Sequence, residues 1–382
     1  MEKSLFIALA LVLMANLSKA QTIYRCNNDP SVTLSPNMFR TLQAAHDAAT
    51  AGDIIYVEPS YNSTSYGGLV CTKTLRIIGN GYNHSAGTSV NQPWQQVRSL
   101  IGDAITIEKT APNTVLEGLN YSLSNTLNIR ALNVTITRCI YEGNGATITL
   151  LRDATGNNGS GAKFTKNLGL PSIQTNGYST YNAPTCSYTA FQIENITISN
   201  NLMKLNQFGL GINSGSTSLL SGGSCTSPSV NIPPIKNLIC SNNTFMSGLG
   251  INSCQNCTVQ NNILRNGLGT GLNGNGNVAA NNVCTTGCDF GSNNVENVLL
   301  SNIFIIANPN NIDQDYRLSL TSPAISAGVG GIDAGAFGTT DPYRISGLAP
   351  IPQITSYSKN ASSGVYTTTT PMTVTISVRG NN

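Results

Sequence analysis

Short runs in which apolar and polar residues alternate recur along the chain and predict many short β-strands. Five of these runs carry a polar pair, usually Asn-Asn, between apolar residues. The second asparagine of each pair lies at Asn201, Asn243, Asn262, Asn282 and Asn302. The first step between them is 42 residues and the next three are 19, 20 and 20. A unit of about 20 residues is too small to fold alone, so the spacing predicts stacked turns, that is, a parallel β-helix.

The repeated asparagine has two physical uses in such a coil. At the same place in every turn, its amide can hydrogen-bond to the next asparagine and form a ladder. Asparagine also tolerates the left-handed backbone that a tight corner requires. A Ser-Gly-rich and then Pro-rich insertion near residues 214–235 accounts for the long first step. Earlier in the chain, residues 134–140 fit the same frame, with Cys139 at the asparagine position.

The pattern changes at the N-terminal end of the predicted coil. Residues 39–49 are apolar at helical spacing, which predicts a short amphipathic helix covering the open end of the first turn. We therefore assign residues 21–53 to an N-terminal cap. The coil follows over residues 54–345, with a second loop insertion near residues 156–190.

The pattern changes again at the C-terminal end. Residues 322–325 and 333–338 break the repeat, as a C-terminal cap would. Residues 346–382 begin as a Pro-rich linker and contain a single alternating run, residues 372–378, which predicts one β-strand. A lone strand needs a sheet edge, so it could pair with this chain or with a partner by strand addition.

Composition supports a repetitive all-β chain. Only 10% of the residues are charged, against roughly 25% in typical globular domains. Asparagine, serine, threonine and glycine replace the missing charge, and 40% of the residues are hydrophobic, which is enough for a large core. No basic stripe or Lys-rich amphipathic helix is present in the sequence, so nucleic-acid and anionic-membrane binding are not predicted.

The first 20 residues have the three parts of a secretory signal peptide. Lys3 precedes an apolar run of about 10 residues, and Ser18 and Ala20 are the small residues at the cleavage position. A transmembrane helix needs about 20 apolar residues, so we expect cleavage and no membrane anchor. The predicted location is extracellular or at the cell surface.

All ten cysteines follow the predicted signal peptide, and an even number in an exported protein indicates disulfides. We expect Cys26–Cys71, Cys186–Cys225, Cys254–Cys257 and Cys284–Cys288 as pairs. Cys139 and Cys240 fall in strand-like runs and are expected to be buried thiols. The last four paired cysteines also resemble two halves of a zinc site, but the repeat register disfavours zinc.

Residues 42–57, the Asn-rich turns, and the closing motifs at residues 322–325 and 332–338 together resemble secreted bacterial right-handed parallel β-helix proteins of the pectin-lyase-like superfamily. The resemblance covers about residues 37–345 and implies a right-handed coil. Enzymes of that superfamily cleave acidic polysaccharides. The lyases use calcium held by clustered carboxylates together with an Arg or Lys base. The hydrolases use several Asp residues on adjacent turns.

The charged residues depart from that catalytic pattern. Between Asp153 and Asp289 the chain has one acidic residue, Glu194, and the Asn-Thr-Asp, Asp-Asp and Gly-His-Gly patterns of the hydrolases are absent. If the protein is an enzyme, a polysaccharide lyase or hydrolase, its candidate catalytic residues are Arg130, Arg152, Asp153 and Glu194. His46 falls in the predicted helix and His84 in a loop.

Two further groups could bind ligands. Tyr178, Tyr181 and Tyr188 lie in one loop, and Trp94 with Tyr82 forms a second aromatic pair. Tyrosine rings offer sugars a flat apolar face with a polar rim, whereas the simpler interpretation is packing against the coil. Carboxylate oxygens are ligands that calcium prefers, and Asp313, Asp315 and Asp333 are candidates for holding it. The simpler interpretation is that these residues have a structural role just before the C-terminal cap.

The sequence leaves three hypotheses for function. The first is a non-catalytic exported β-helix that binds a glycan or a surface protein, without a cofactor. The second is a polysaccharide lyase or glycoside hydrolase acting on an acidic polysaccharide. The third is a rigid structural spacer in a surface assembly.

Overall fold

The computed structural model describes residues 21–81, 98–122, 126–142, 146–176, 178–182, 187–203, 210–214, 235–246, 249–251, 254–265, 276–288, 290–306, 316–347, 353–359 and 373–379. Within these ranges the chain consists mainly of short strands, with one α-helix, α1 (Leu42–Ala48). Short 3-10 helices lie at Tyr61–Ser63, Leu300–Asn302, Val329–Gly331 and Ile345–Gly347.

The largest sheet, sheet A, contains eleven parallel strands. Their spatial order is β2 (Met38–Phe39), β1 (Ile23–Cys26), β3 (Ile54–Val57), β5 (Arg76–Ile78), β8 (Val115–Glu117), β11 (Thr135–Thr137), β14 (Lys163–Thr165), β19 (Thr197–Ser199), β23 (Ile239–Ser241), β27 (Thr258–Gln260) and β29 (Val278–Ala280).

Sheet B contains seven parallel strands and faces a different side of the coil. They are β4 (Leu69–Cys71), β7 (Ile105–Ile107), β10 (Thr126–Ile129), β13 (Thr147–Leu151), β15 (Ser172–Asn176), β21 (Leu210–Ser214) and β25 (Leu249–Ile251).

Sheet C is built from two-residue strands in two groups that Leu168 bridges. They are β6 (Leu100–Ile101), β9 (Asn120–Tyr121), β12 (Ile140–Tyr141), β20 (Leu202–Met203), β24 (Thr244–Phe245), β28 (Ile263–Leu264) and β30 (Val283–Cys284). A small sheet D holds β18 (Ile193–Glu194), β22 (Ile235–Lys236) and β26 (Cys254–Gln255).

Two antiparallel hairpins stand apart from these parallel sheets. The first, the tyrosine hairpin, pairs β16 (Tyr178–Asn182) with β17 (Ser187–Phe191). The second, the C-terminal ribbon, pairs β31 (Gln353–Lys359) with β32 (Val374–Arg379). The sequence predicted one strand in this tail, so the ribbon is a correction. Strand β31 was missed because its Ser-rich sequence lacks the run of β-branched residues that marks β32.

Alternation along each strand explains why these segments form sheets. In β7, Ile105 and Ile107 are buried while Thr106 between them is partly exposed. Inward residues from all turns stack into one apolar core. The predicted all-β fold of parallel sheets is confirmed by this arrangement.

The asparagine ladder appears as a chain of hydrogen bonds that are buried except for the last one, at Asn294. The Nδ2 group of each asparagine donates to the Oδ1 atom of the next, at 2.9 to 3.2 Å, through Asn167, Asn201, Asn243, Asn262, Asn282 and Asn294. Asn302 instead ends a 3-10 helix and is exposed. Asn302 is outside the ladder because the last step along the ladder is only 12 residues, so Asn294 takes the position above Asn282.

Residues 316–347, which we call the strap, run along the outer face of sheet C. The apolar contacts join strap residues such as Ala334 and Tyr343 to Leu202 and Ile263 of the sheet. The sequence predicted a C-terminal cap here, whereas these contacts place the segment alongside the coil. Small residues permit the close approach: a Cβ atom on Gly335 would lie 2.6 Å from the Cδ1 atom of Ile263.

Candidate functional site

The tyrosine hairpin leaves the coil between β15 of sheet B and β18 of sheet D. Tyr181 pairs directly with Tyr188, and Tyr178 pairs with Phe191. Opposed residues of an antiparallel pair share one face of the ribbon. Tyr181 and Tyr188 therefore occupy one face, and Tyr178 and Phe191 occupy the other.

Arg152 lies at the foot of this hairpin and is held by three contacts. Its Nη1 atom donates to the backbone oxygen of Gln192 at 2.5 Å, and lies 3.7 Å from the Oε1 atom of Glu194. Its guanidinium carbon is 5.4 Å from the ring centroid of Phe191, within the range of a cation–π contact. No pattern in the sequence indicates the contact between Arg152 and Phe191, because it depends on how the hairpin folds back.

Arg130 lies on the turn next to Arg152. The backbone N–H of Asn158 donates to the oxygen of Arg130 at 2.9 Å, and Asn158 also forms a β-bridge with Arg152. The Nη1 atom of Arg130 is 3.1 Å from the Oε1 atom of Glu108. Each of the two arginines therefore has a glutamate partner, and their charges are balanced.

Asp153 is engaged in a local turn. Its carboxylate accepts hydrogen bonds from the backbone N–H and hydroxyl of Thr155, at 2.9 and 2.7 Å, and from the Nδ2 group of Asn157 at 2.7 Å. The Thr155 hydroxyl bond, followed by the Asn157 bond, lowers the pKa of Asp153 below its ordinary value. A general acid needs a raised pKa, so Asp153 is poorly suited to that role.

Other candidates lie outside the described residues: Tyr82, His84, Trp94, Cys186, Cys225, Asp313 and Asp315. Asp333 is described, and its Oδ1 atom accepts from the backbone N–H of Ser326 at 2.9 Å. His46 is buried in α1, and its Nε2 atom accepts from the backbone N–H of Thr72 at 3.0 Å. Among the described residues, no His, Cys, Asp and Glu side chains form a group of three that could hold a metal ion.

Among the described cysteines, four form the short-range disulfides Cys254–Cys257 and Cys284–Cys288. Their sulfur atoms are therefore not zinc ligands. The expected Cys26–Cys71 pair is wrong: both are buried free thiols, and they lie in different sheets. Each points inward from its own strand, and burial raises the pKa of Cys26 to about 12. Cys139 and Cys240 are also buried free thiols, and burial raises the pKa of each to about 12.

A cluster of charged residues lies beneath the strap, and the sequence did not indicate how its members pair. The buried carboxylate of Glu117 pairs with Arg138 at 2.9 Å and with Arg76 at 2.8 Å. One turn on, Lys166 pairs with Asp341 of the strap. The only signal in the sequence is that Arg138 and Lys166 occupy the corner position that asparagine fills in later turns.

Comparison of the sequence with protein-family models finds no match, and comparison with curated proteins finds no significant similarity. In the described ranges, no helix has the length and apolar character needed to cross a membrane.

Proposed function

We propose that this chain is an exported, non-catalytic β-helix protein that binds a glycan through the tyrosine hairpin. The observation that carries the proposal is the placement of the hairpin beside Arg152, on the same side of the coil as Arg130. Tyrosine positions on both faces of a projecting hairpin suit stacking against sugar rings, and the neighbouring ion pairs provide hydrogen-bonding groups.

The charges near the hairpin favour a glycan that is neutral or only weakly acidic. Arg130 and Arg152 are matched by Glu108 and Glu194, and Asp153 adds one further negative charge. An acidic polysaccharide would have to displace a glutamate from each arginine and approach Asp153. A neutral sugar can hydrogen-bond to the same groups without separating the pairs.

The coil is the rigid scaffold that carries this binding site. We infer that it is right-handed, with turns of about 20 residues and α1 covering its first turn, in line with the general handedness of parallel crossovers. We further infer that residues 1–20 direct export and that the protein acts outside the cell or at its surface. No metal or organic cofactor is part of the proposal.

A binding experiment tests this function directly. Mature protein is incubated with immobilised neutral and acidic polysaccharides while binding and product release are followed together. We expect binding to a neutral glycan without release, and at least about a tenfold loss of affinity in Tyr181→Ala/Tyr188→Ala, which corresponds to about 1.4 kcal/mol. Tyr61→Ala is the matched control, because Tyr61 is an exposed tyrosine on another turn.

Other outcomes would direct attention elsewhere. Release of unsaturated or reducing-end products would replace the proposal with the lyase or hydrolase hypothesis. Equal binding by the double variant would remove the tyrosine hairpin from the site. Binding to no glycan would favour a protein ligand or the spacer role.

A further inference from the structure

Two corners of the coil carry cationic side chains where other corners carry asparagine. Apart from the glycines, the described residues with positive φ are asparagines and serines, with two exceptions, Arg138 and Lys166. Left-handed backbone is unfavourable for long side chains, and strained residues of this kind concentrate at functional sites. The two corners lie on adjacent turns, because Thr137 pairs with Thr165 directly before them. The cations at these corners therefore point to a function beyond turning the chain.

The two corner cations are nearly buried and leave the coil side by side. The exposed fractions of the Arg138 and Lys166 side chains are 9% and 10%. Neighbouring strands are about 4.7–4.9 Å apart, so the two corner positions are adjacent in space. Like charges on adjacent positions repel each other, and burial strengthens the repulsion. Anionic groups are therefore needed to compensate for both charges.

Glu117 compensates for Arg138 only in part. Its buried carboxylate is shared between the Nη1 atom of Arg138, at 2.9 Å, and the Nη2 atom of Arg76, at 2.8 Å. The Nε atom of Arg138 is buried and has no hydrogen-bond partner among the described residues. A buried donor without a partner is destabilising, and a further oxygen acceptor satisfies it. Arg138 therefore has the capacity for a second anionic partner.

On the side of the strap, Asp341 lies among several cations. It pairs with Lys166, and the hydrogen bond from Lys166 is the main cause that lowers the pKa of the Asp341 carboxyl. The charges of Lys166, Arg138 and Arg344 lower this pKa further. The side chain of Asp341 is 68% exposed, so a dissolved anion can approach the cluster from this side.

We propose that Arg138, Lys166 and Arg344 bind a phosphate or sulfate group at the junction of the coil and the strap. Such a group has several oxygen acceptors, so it can accept hydrogen bonds from a guanidinium and an ammonium group at the same time. The Asp341 carboxylate competes with it for the same cations. The bound anion joins two corners of the coil to the strap. The proposal does not depend on the glycan site.

Binding of inorganic phosphate and sulfate to the full mature chain tests the proposal. Isothermal titration calorimetry is performed at constant ionic strength, with chloride as the reference anion. We expect one saturable site and at least about a tenfold loss of affinity in Lys166→Asn, because a charged hydrogen bond is lost. Asparagine adopts the same left-handed corner in later turns, so this variant keeps the backbone conformation.

Asp341→Asn should change the affinity in the opposite direction. We expect it to bind the anion at least about threefold more tightly, because the exposed carboxylate no longer competes for Lys166. A gain of affinity also shows that the variant is folded. A cluster that only attaches the strap to the coil would give no such gain, and its absence would contradict the proposal.

Lys109→Asn is the control, because it removes the same charge from an exposed position after β7. Equal weakening in Lys109→Asn and Lys166→Asn would overturn the proposal, since net charge alone would then explain the binding. Equal heats with phosphate, sulfate and chloride in the wild type would overturn it as well. Vesicles of phosphatidylcholine with and without phosphatidic acid distinguish the sources of the phosphate group. Capture that requires both phosphatidic acid and Lys166 indicates a lipid phosphate, and binding of the inorganic anions alone indicates a soluble one.

Discussion

At the residue scale, the two asparagines of each pair have different tasks. The first adopts the left-handed conformation at the corner, with φ of +55°, +56°, +57° and +56° at Asn200, Asn242, Asn261 and Asn281. The second turns inward and continues the ladder. Asparagine is suited to both tasks because its short amide tolerates left-handed backbone and can donate and accept hydrogen bonds.

Arg138 and Lys166 hold the same corner position two turns and one turn before Asn200, with φ of +54° and +58°. Left-handed backbone costs about 1–2 kcal/mol for such residues. Their side chains form ion pairs with Glu117 and Asp341, respectively. At these two corners the backbone conformation is less favourable than it would be for asparagine. The long cationic side chains, however, reach the buried Glu117 and the strap residue Asp341.

Replacing Asn262 with leucine should destabilise the coil by about 3 kcal/mol. The Oδ1 atom of Asn262 accepts from the backbone N–H and Nδ2 group of Asn243, both at 2.9 Å. Its Nδ2 group donates to the oxygen of Cys240 at 3.0 Å. Each buried group left without a partner costs about 1–3 kcal/mol. The free energy of unfolding, measured by denaturant titration, checks the expectation.

Asn302→Leu is the matched control, since Asn302 is exposed and outside the ladder. It should change the free energy of unfolding by no more than about 0.5 kcal/mol. If both variants were equally stable, the ladder would contribute nothing to the stability of the coil.

At the element scale, the strap runs back along the coil and forms hydrogen bonds with the corner asparagines of successive turns. Asn281 donates from Nδ2 to the oxygen of Ala327, Asn261 accepts at Oδ1 from the N–H of Val329, and Asn200 donates from Nδ2 to the oxygen of Ala336. Lys166 then pairs with Asp341. These contacts order the strap from the last turns toward the middle of the coil.

The Lys166–Asp341 pair should make attachment of the strap sensitive to acid. The hydrogen bond from Lys166 is the main cause that lowers the pKa of Asp341 below 3.8, with added effects of Lys166, Arg138 and Arg344. A lowered pKa in the folded state adds stability above the ordinary value, and that stability is lost as the pH falls through the lowered value. Wild type should therefore exceed Asp341→Asn in stability near neutral pH and converge with it in strong acid.

The difference is expected to be at most about 1 kcal/mol, because Asp341 is largely exposed. Denaturant titrations near neutral pH and well below the ordinary aspartate pKa measure it. Asp103→Asn, at an exposed aspartate before β7, is the control. A wild-type advantage that persisted in strong acid would contradict the role of this pair.

At the scale of the whole molecule, the strap and the ribbon should contribute unequally to stability. Ending the chain after residue 306 removes the strap and uncovers Leu202, Met246 and Ile263. Each such side chain contributes about 1.5–3 kcal/mol when buried. We expect a large fall in the thermal midpoint and aggregation of that chain.

Ending the chain after residue 347 removes only the linker and ribbon and serves as the control. Since Val374 and Ile376 of the ribbon are exposed, the midpoint should stay within about 2 °C of the full chain. Thermal unfolding followed by circular dichroism compares the three chains. A similar fall in both truncated chains would show that the ribbon, and not the strap, stabilises the coil.

The sequence by itself determined the parallel all-β architecture and the ladder positions Asn201, Asn243, Asn262 and Asn282. Both follow from local periodicity, because stacked turns repeat their inward residues at a nearly constant spacing. It also indicated the short-range pairs Cys254–Cys257 and Cys284–Cys288, whose partners are close in the chain.

Only the tertiary structure decided which distant residues meet. Asn167 and Asn294 join the ladder through steps of 34 and 12 residues that no regular spacing predicts. Lys166 and Asp341 are 175 residues apart, and Arg152 meets Phe191 only because a hairpin returns the chain to its base. Such contacts depend on loop lengths and on the path of the strap, and local sequence patterns encode neither.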